Sequence, residues 1–461
     1  MLSVLDNRIY RHLFAAQVLS LLGTGLTTVA LGLLAYDLAG ADAGRVLGTA
    51  LALKMIAYVG IAPIAGALAG RVPRRAFLVG LDLARAAMVL FLPFVTELWQ
   101  VYGLVFAFQA CSAAFTPTFQ ATIPEVLADE RAYTNALSLS RLAYDLESLV
   151  SPMVAGALLT LVSFHWLFVG NALGFLASAA LVASVALPAV RGKNSAKPFL
   201  RRLTRGSWIY LATPRLRGLL ALNFALASAG AMVIVNTVVL VKGELGGSDG
   251  DVAIAFAAYG LGSMVVALAL PRLLFGGPQD QPQFAPRTVM LAGSAILPVA
   301  LVLASASSSL VAISGLWGVM GIGASLIQTP AGLLLRRSSH AEDRPTLYAA
   351  QFALSHACWL ITYPVAGWLG SSFGLGPTFI VMALGAIFGT AAAAVLWPRH
   401  DPDVIDHFHD AVEHSHDFAD DVHHGASAID QLSTDWHRHR PVRHAHPFVI
   451  DDHHPVWPAG R

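Results

Sequence analysis

The chain of 461 residues is 56% hydrophobic and 12% charged, against about 25% charged for an ordinary soluble domain. A water-soluble fold of this length cannot hide so much apolar surface without dividing into several domains, so a soluble enzyme is excluded. The formal charge of +1 gives no electrostatic reason to expect a nucleic-acid partner.

Crossing a bilayer takes about 20 apolar residues. Such stretches run at 13–36, 46–69, 76–95, 99–122, 136–162 and 166–188, and after a polar gap at 218–241, 252–275, 288–306, 310–335, 347–370 and 375–397. The expected fold is an all-α membrane protein with twelve transmembrane helices. It divides into a first six-helix half at 1–188, a central loop at 189–217, a second half at 218–398 and a tail at 399–461. The first stretch is too long for a removable leader and lacks a small-residue cleavage site. Both cysteines, Cys111 and Cys358, fall inside apolar stretches, so no disulfide framework is expected. Each reads first as a small hydrophobe, with metal ligation as the sharper alternative.

Basic residues orient the chain. One set of loops carries Arg8, Arg11, Arg71, Arg74, Arg75, Arg131, Arg336, Arg337 and Arg344, together with the arginine-rich central loop. The other set carries only Arg45 and Lys242, among Asp42, Glu97, Glu244, Asp249 and Asp251. Positive charge stays inside, which predicts an inner membrane protein with both termini cytoplasmic.

The two halves echo one another. Arg11 and Gln17 open the first span with the spacing that Arg217 and Asn223 show in the seventh, and Tyr58 to Arg71 matches Tyr259 to Arg272. "SPMVAG" at 151–156 answers "YPVAG" at 363–367, and the offset of 212 between Pro152 and Pro364 sets His356 opposite Tyr144. Parallel repeats around a midplane site are a common build for secondary transporters.

The stretch "GALAGRVPRRAFLVGLDLARA" at 66–86 resembles the signature loop of the major facilitator superfamily, with Gly66, Leu68, Ala69, Arg71, Arg74 and Arg75 in place. Gly70 and Pro73 stand where that family has Asp and Gly. The resemblance covers about residues 8–398 and implies the family's two-lobed fold. It also implies a gating role for the loop, with Asp82 and Arg85 standing in for the missing Asp. "ESLVSPMVAG" at 147–156 looks like the family's exporter motif, retaining Pro152 and Gly156. The plainer account of that motif is ordinary close packing of small residues. The Arg that proton-coupled members carry in span four is absent from "FAFQACSAAF".

Ionisable groups at membrane depth cost at least about 2.5–3.5 kcal/mol each on insertion scales and so need a reason. Arg141, Asp145 and Glu147 lie in span five, Lys54 in span two and His356 in span eleven. Arg141 and Asp145, four residues apart, can pair along one helix face. Glu147 points about 200° away from Asp145, so one of the two carboxylates faces the pathway. In the family, spans five and eleven face the cavity less directly than one, four, seven and ten. Lys54 is expected to pair with Asp37 or to shed its proton, and His165 reads as an interface residue.

Of 17 histidines only His12, His165, His340 and His356 precede residue 400, leaving thirteen at or beyond His400. Twelve of them form pairs: His407 with His409, His414 with His416, His423 with His424, His437 with His439, His444 with His446 and His453 with His454. Imidazole with interleaved carboxylate suits Ni, Zn, Cu and Co. A helix over 403–424 would bring His409, His416 and His423 near one face, with Glu413 a turn from two of them. Beyond His424 the pattern is irregular and disorder is expected.

The combination resembles the nickel-resistance exporters of bacteria. It implies a monomeric carrier without a required cofactor that exports Ni2+ or Co2+ by proton antiport, with a tail binding Ni2+, Co2+ or Zn2+. Asp145, Glu147, Arg141 and His356 are the coupling candidates. The competing reading is an exporter of an organic solute, a drug or siderophore, with a metal-buffering tail. A third is a tethered metal sensor. No nucleophile–base set and no phosphate loop points to an enzyme.

Overall fold

The computed structural model describes residues 2–39, 43–68, 72–188, 198–275, 284–402, 404–409, 412–415, 429–431, 436–439, 442–451 and 454–458. It falls into two compact units, Met1–Pro398 and Arg399–Arg461.

The first unit is helical throughout. Its first half comprises α1 (Arg8–Ala39), α2 (Ala43–Leu68), α3 (Arg74–Phe91), α4 (Leu98–Val126), α5 (Glu130–Leu159) and α6 (His165–Ala183). Then follow α7 (Phe199–Ala212), α8 (Pro214–Ala231), α9 (Asp249–Phe275), α10 (Pro286–Ser305), α11 (Leu310–Gln328), α12 (Ala331–Arg337), α13 (Arg344–Phe373) and α14 (Leu375–Leu396). Among the described residues nine helices are long and apolar enough to cross a membrane, and α2 adds a shorter apolar run at Ala52–Leu68. Helices α5 and α13, 30 residues each, have the length but carry the polar groups discussed below.

Local chemistry sets the helix ends. Asp129 caps α5 by accepting from the Ala132 amide at 2.7 Å, and Glu97 with Gln100 forms a reciprocal capping box on α4. Gly374, at φ +83°, makes the tight reversal from α13 to α14, a backbone state that costs glycine nothing. Pro330, which has no amide hydrogen to donate, stands at the break that splits the expected 310–335 span into α11 and α12. Two further departures matter. The central loop contains a helix, α7, and the seventh span begins at Pro214 before passing into π-helical turns at Met232–Asn236 and Val239–Glu244.

Small residues let helices touch. A Cβ on Gly262 of α9 would lie 1.9 Å from the Gly318 carbonyl oxygen, and one on Gly321 of α11 would lie 1.9 Å from that of Tyr259. Those two backbones are therefore in direct contact, as small residues permit in a bilayer.

The helix ends flanking the α2–α3, α4–α5 and α12–α13 connections carry Arg74, Arg75, Arg131, Arg336, Arg337 and Arg344 at one end of the bundle, the basic face. One buried cluster there joins both halves: Tyr10, Leu78, Leu127 and Tyr133 from the first, Leu270, Leu274, Val289 and Leu333 from the second. A small cluster of Ala62, Ala113, Phe352 and Ala353, with Tyr58 and Ile61, continues the junction inward. Toward the opposite face, the cluster around Leu34, Val89, Val101, Phe108 and Phe168 draws on the first half alone.

The described residues of the tail unit include five strands and no helix. Strand β1 (Val404–His409) pairs antiparallel with β5 (Val442–Pro447), and β4 (Trp436–His439) pairs with both β2 (Val412–Ser415) and β3 (Ile429–Gln431). Alternating β-branched and aromatic residues in "VIDHFH" fit a pleated strand better than a helix. Residues 404–409 and 412–415 of the expected helix are therefore strands, with His409 at the end of β1, while His416 and His423 lie outside the described residues; β3, β4 and β5 stand within the stretch where disorder was expected.

Candidate functional site

A chain of polar and aromatic contacts closes the seam between the halves, starting from the basic face. Arg337 of α12 meets Glu130 of α5 at 2.6 Å, and Arg336 donates to the Ala128 carbonyl. The hydroxyls of Tyr133 and Tyr348 lie 2.7 Å apart in a buried setting. Backbone packs on backbone where a Cβ on Gly66 would lie 2.6 Å from that of Ala349 and 3.2 Å from the Pro345 carbonyl oxygen. That gives the signature-loop glycine a seam position.

Deeper in, Arg141 reaches across. Its Nη2 pairs with Asp145 at 2.9 Å, as the four-residue spacing predicts. Its Nε donates to Ser263 of α9 at 2.8 Å and its Nη1 to Gln328 of α11 at 2.6 Å. The pair within α5 is therefore also a clamp between halves. Its partners belong to other helices, so sequence spacing held no trace of them.

At the inner end of the seam, the Tyr58 ring of α2 lies 4.8 Å from Phe352, tilted by 50°, and edge-on at 4.8 Å to His356, both of α13. Tyr58 donates to Gln109 of α4 at 3.0 Å. His356 Nδ1 donates to the Phe352 carbonyl at 2.7 Å, which leaves Nε2 as the nitrogen available to a ligand or proton. The Lys54 ammonium sits 5.5 Å over the Tyr58 ring and within electrostatic range of Glu147 and His356. Glu147 is half-buried, lies against Gly25 of α1 and makes no hydrogen bond to a described residue. Trp359 and Tyr363, 5.0 Å apart, extend the aromatic row along α13. Asp145 and Glu147 thus face different neighbours, as their angular separation on α5 predicts.

Other expected site residues lie elsewhere. Asp82 and Arg85 are buried inside the first half, where Asp82 accepts from Ser178 at 2.8 Å and bonds Arg85. The Arg85 guanidinium is sandwiched 4.1 Å from Phe115 and 4.4 Å from Phe175. That sandwich lies between α3, α4 and α6 within the first half. Arg74 pairs with Glu125 at 2.5 Å and Arg75 donates to the Ala183 carbonyl, again within the first half. Arg71 lies outside the described residues, and Pro152 and Gly156 are described only as backbone of α5. Asp37 is likewise described only as helix backbone, while Lys54 engages Tyr58.

In the tail, the strand register sets the Cα of His407 opposite His444 and that of His414 opposite His437. His409 faces Val442, His439 faces Val412 and Ile429, and Glu413 faces Arg438. His446 Nδ1 donates to the Pro447 carbonyl at 2.8 Å, and its ring meets that of His454 edge-on at 5.1 Å. His454 Nδ1 lies 3.0 Å from Asp451 and its ring 4.7 Å from that of Phe448. His416, His423, His424 and His453 lie outside the described residues. Among the described residues no three His, Cys, Asp or Glu side chains converge as an ion site.

Two helical halves closed along one seam, with ionisable groups at its inner end, are the build of a secondary membrane transporter. The chain belongs to the Major Facilitator Superfamily, whose profile it matches over residues 13–278 and 220–413. It is 31% identical over 172 residues to YfiS, an uncharacterized MFS-type transporter of Bacillus subtilis, a match covering 37% of this chain and 40% of that protein. It is 22% identical over 402 residues to YvqJ of the same organism, covering 83% of this chain and 90% of that one. Macrolide efflux protein A of Streptococcus pyogenes is 26% identical over 201 residues, 42% of this chain and 49% of that protein. The fold resembles the human organic anion transporter MFSD10, with a TM-score of 0.72 at 12% identity, covering 84% of this chain and 99% of that one.

Proposed function

We propose that this transporter is a secondary-active exporter of an organic solute, with Glu147 carrying the coupling proton. The observation behind this reading is the wall at the inner end of the seam. Tyr58, Phe352, His356, Trp359 and Tyr363 present rings, Gln109 an amide, and Lys54 with Glu147 a pair of opposite charges. Ring faces with a few polar groups suit an amphipathic organic molecule. A fixed ammonium beside the site opposes a bare divalent cation. The partial likeness to a macrolide efflux protein supports the same cargo class.

In this mechanism the basic face is cytoplasmic, in a bacterial inner membrane, and the chain acts as a monomer. Solute enters when the seam opens, and the Arg141 clamp and the Tyr58–His356 contact re-form behind it. Protonation of Glu147 neutralises a carboxylate that is expensive to carry at membrane depth. Release of that proton inward resets the cycle. The domain scheme follows: residues 1–188 and 218–398 move against one another, 189–217 links them, and 399–461 binds divalent ions.

A second reading, export of Ni2+ or Co2+, is favoured by the thirteen tail histidines and by the register that opposes His407 to His444 and His414 to His437. The tail would then load the inner mouth with Ni2+, Co2+ or Zn2+. Efflux from cells making the full chain and Glu147→Gln separates the two. Macrolide or cationic-dye efflux that falls at least tenfold in Glu147→Gln supports the organic reading. Nickel or cobalt efflux without any dye efflux replaces it with the second.

A further inference from the structure

The end of the tail gathers four histidines from β1, β5 and the turn that follows. Strand β5 reads "VRHAHP", so His444 and His446 stand two residues apart. Successive residues of a strand alternate between faces, which puts both on one face of the β1–β5 ribbon. The register sets His407 opposite His444 and Ile405 opposite His446, so His407 shares that face. Residues opposed in this way have Cβ atoms about 4.5–5.5 Å apart, close enough for both to reach one ion. Asp406 and Arg443 fall on the other face.

Beyond the strand the chain brings in a fourth histidine and fixes its ring. The Asp451 amide donates to the His454 carbonyl at 3.3 Å. Asp451 Oδ1 accepts in return from the His454 amide at 2.7 Å and from its Nδ1 at 3.0 Å. The His454 ring meets that of His446 edge-on at 5.1 Å, and Phe448 packs 4.7 Å from it. His446 donates from Nδ1 to the Pro447 carbonyl at 2.8 Å. In both rings Nδ1 is engaged by a carboxylate or a carbonyl, which makes Nε2 the ligating nitrogen. That is the outer-shell pattern of metal-binding histidines. A tetrahedral ion with Zn–N bonds of about 2.0 Å needs its nitrogens about 3.3 Å apart, which two rings at this separation can supply. His454 is 4% exposed, in keeping with a closed site shielded by its own ligands.

We propose that His407, His444, His446 and His454 hold one divalent transition-metal ion, with Asp451 as the positioning residue for His454 and Phe448 as an apolar wall. The site narrows the reading that residues 399–461 bind divalent ions and rests on it, whichever cargo is carried. Neutral imidazole ligands favour Zn2+, Co2+, Ni2+ or Cu2+ over Mg2+ and Ca2+, which take oxygen. An ion held here ties β1 to the turn after β5, so ion binding and folding of this unit are linked.

The test titrates Co2+ into the purified full chain. The first equivalent should give the intense visible band of a tetrahedral ion, and Zn2+ should displace it. His446→Ala with His454→Ala should lose that band and weaken the first equivalent by at least about tenfold. His437→Ala with His439→Ala, which takes as many imidazoles from β4, should stay within about twofold of the parent. Equal weakening by the two pairs overturns the site and leaves a diffuse histidine buffer. A parent chain that binds no Co2+ removes the divalent-ion reading of the tail along with the site. Asp451→Asn keeps every ligand and should weaken Co2+ about tenfold, as loss of an outer-shell partner does; unchanged affinity overturns its positioning role. His454→Cys guards against a variant that merely misfolds. A cysteine there should hold Co2+ and add a thiolate-to-cobalt charge-transfer band, and unchanged Co2+ binding without that band overturns the proposal.

Discussion

Glu147 and Asp145 stand two residues apart on α5 and meet different worlds. Asp145 is engaged by Arg141 at 2.9 Å, whereas Glu147 lies half-buried against Gly25 within electrostatic range of Lys54. Replacing Glu147 by Gln should leave the fold intact and cut proton-coupled efflux at least tenfold, read as proton release from energised vesicles on adding cargo. Arg141→Ala acts otherwise. It removes the ion pair to Asp145 and the bonds to Ser263 and Gln328. The expected loss is about 3–5 kcal/mol, as for breaking other buried pairs, and thermal unfolding in detergent reads it. The charge pair itself was legible in the sequence because four residues make one helical turn. Ser263, Gln328 and Tyr58 were not, since each is brought in by a different helix.

At the scale of elements, glycine contacts decide where helices meet. Gly321→Leu would drive a side chain into the Tyr259 backbone, 1.9 Å from where a Cβ would start, and Gly262→Leu would do the same at Gly318. Overpacking of this kind typically costs about 1–3 kcal/mol. A fall in thermal midpoint for both, with no loss for Gly315→Ala, where a Cβ meets nothing within 4 Å, would check it. The twelve spans were readable from hydropathy because lipid demands long apolar helices. Helix α7 was missed because its arginines mark a loop on a hydropathy scale, although Arg202, Arg205, Gly206, Ile209 and Tyr210 recur at helical spacing on its buried side. The tail misled for the opposite reason. Seven-residue histidine spacing fits a helix arithmetically, but Val404, Ile405 and Phe408 favour a strand, and the partner strand lies over thirty residues downstream.

The whole molecule is a pair of halves shut at the basic face, with a small β unit of its own at the chain's end. If rocking opens this seam in each cycle, fixing it should stop transport. Gly66→Cys with Ala349→Cys, in a background of Cys111→Ser and Cys358→Ser, joins α2 to α13 after a shift of about 1 Å toward the usual Cβ separation of about 3.5–4.5 Å. Oxidation should abolish efflux and reductant should restore it. Unimpaired efflux by the cross-linked form would show that this seam does not open. The tail answers to a separate measurement, because imidazole binds a metal only when neutral. Its divalent-ion affinity should therefore be weaker at pH 5.5 than at pH 7.5. The chain ending at Pro398 should lose that affinity altogether while still exporting an organic cargo. A tail that binds Ni2+ equally at pH 5.5 and 7.5 would mean that carboxylates, not the histidines, hold the ion, and the metal reading of this unit would have to be abandoned.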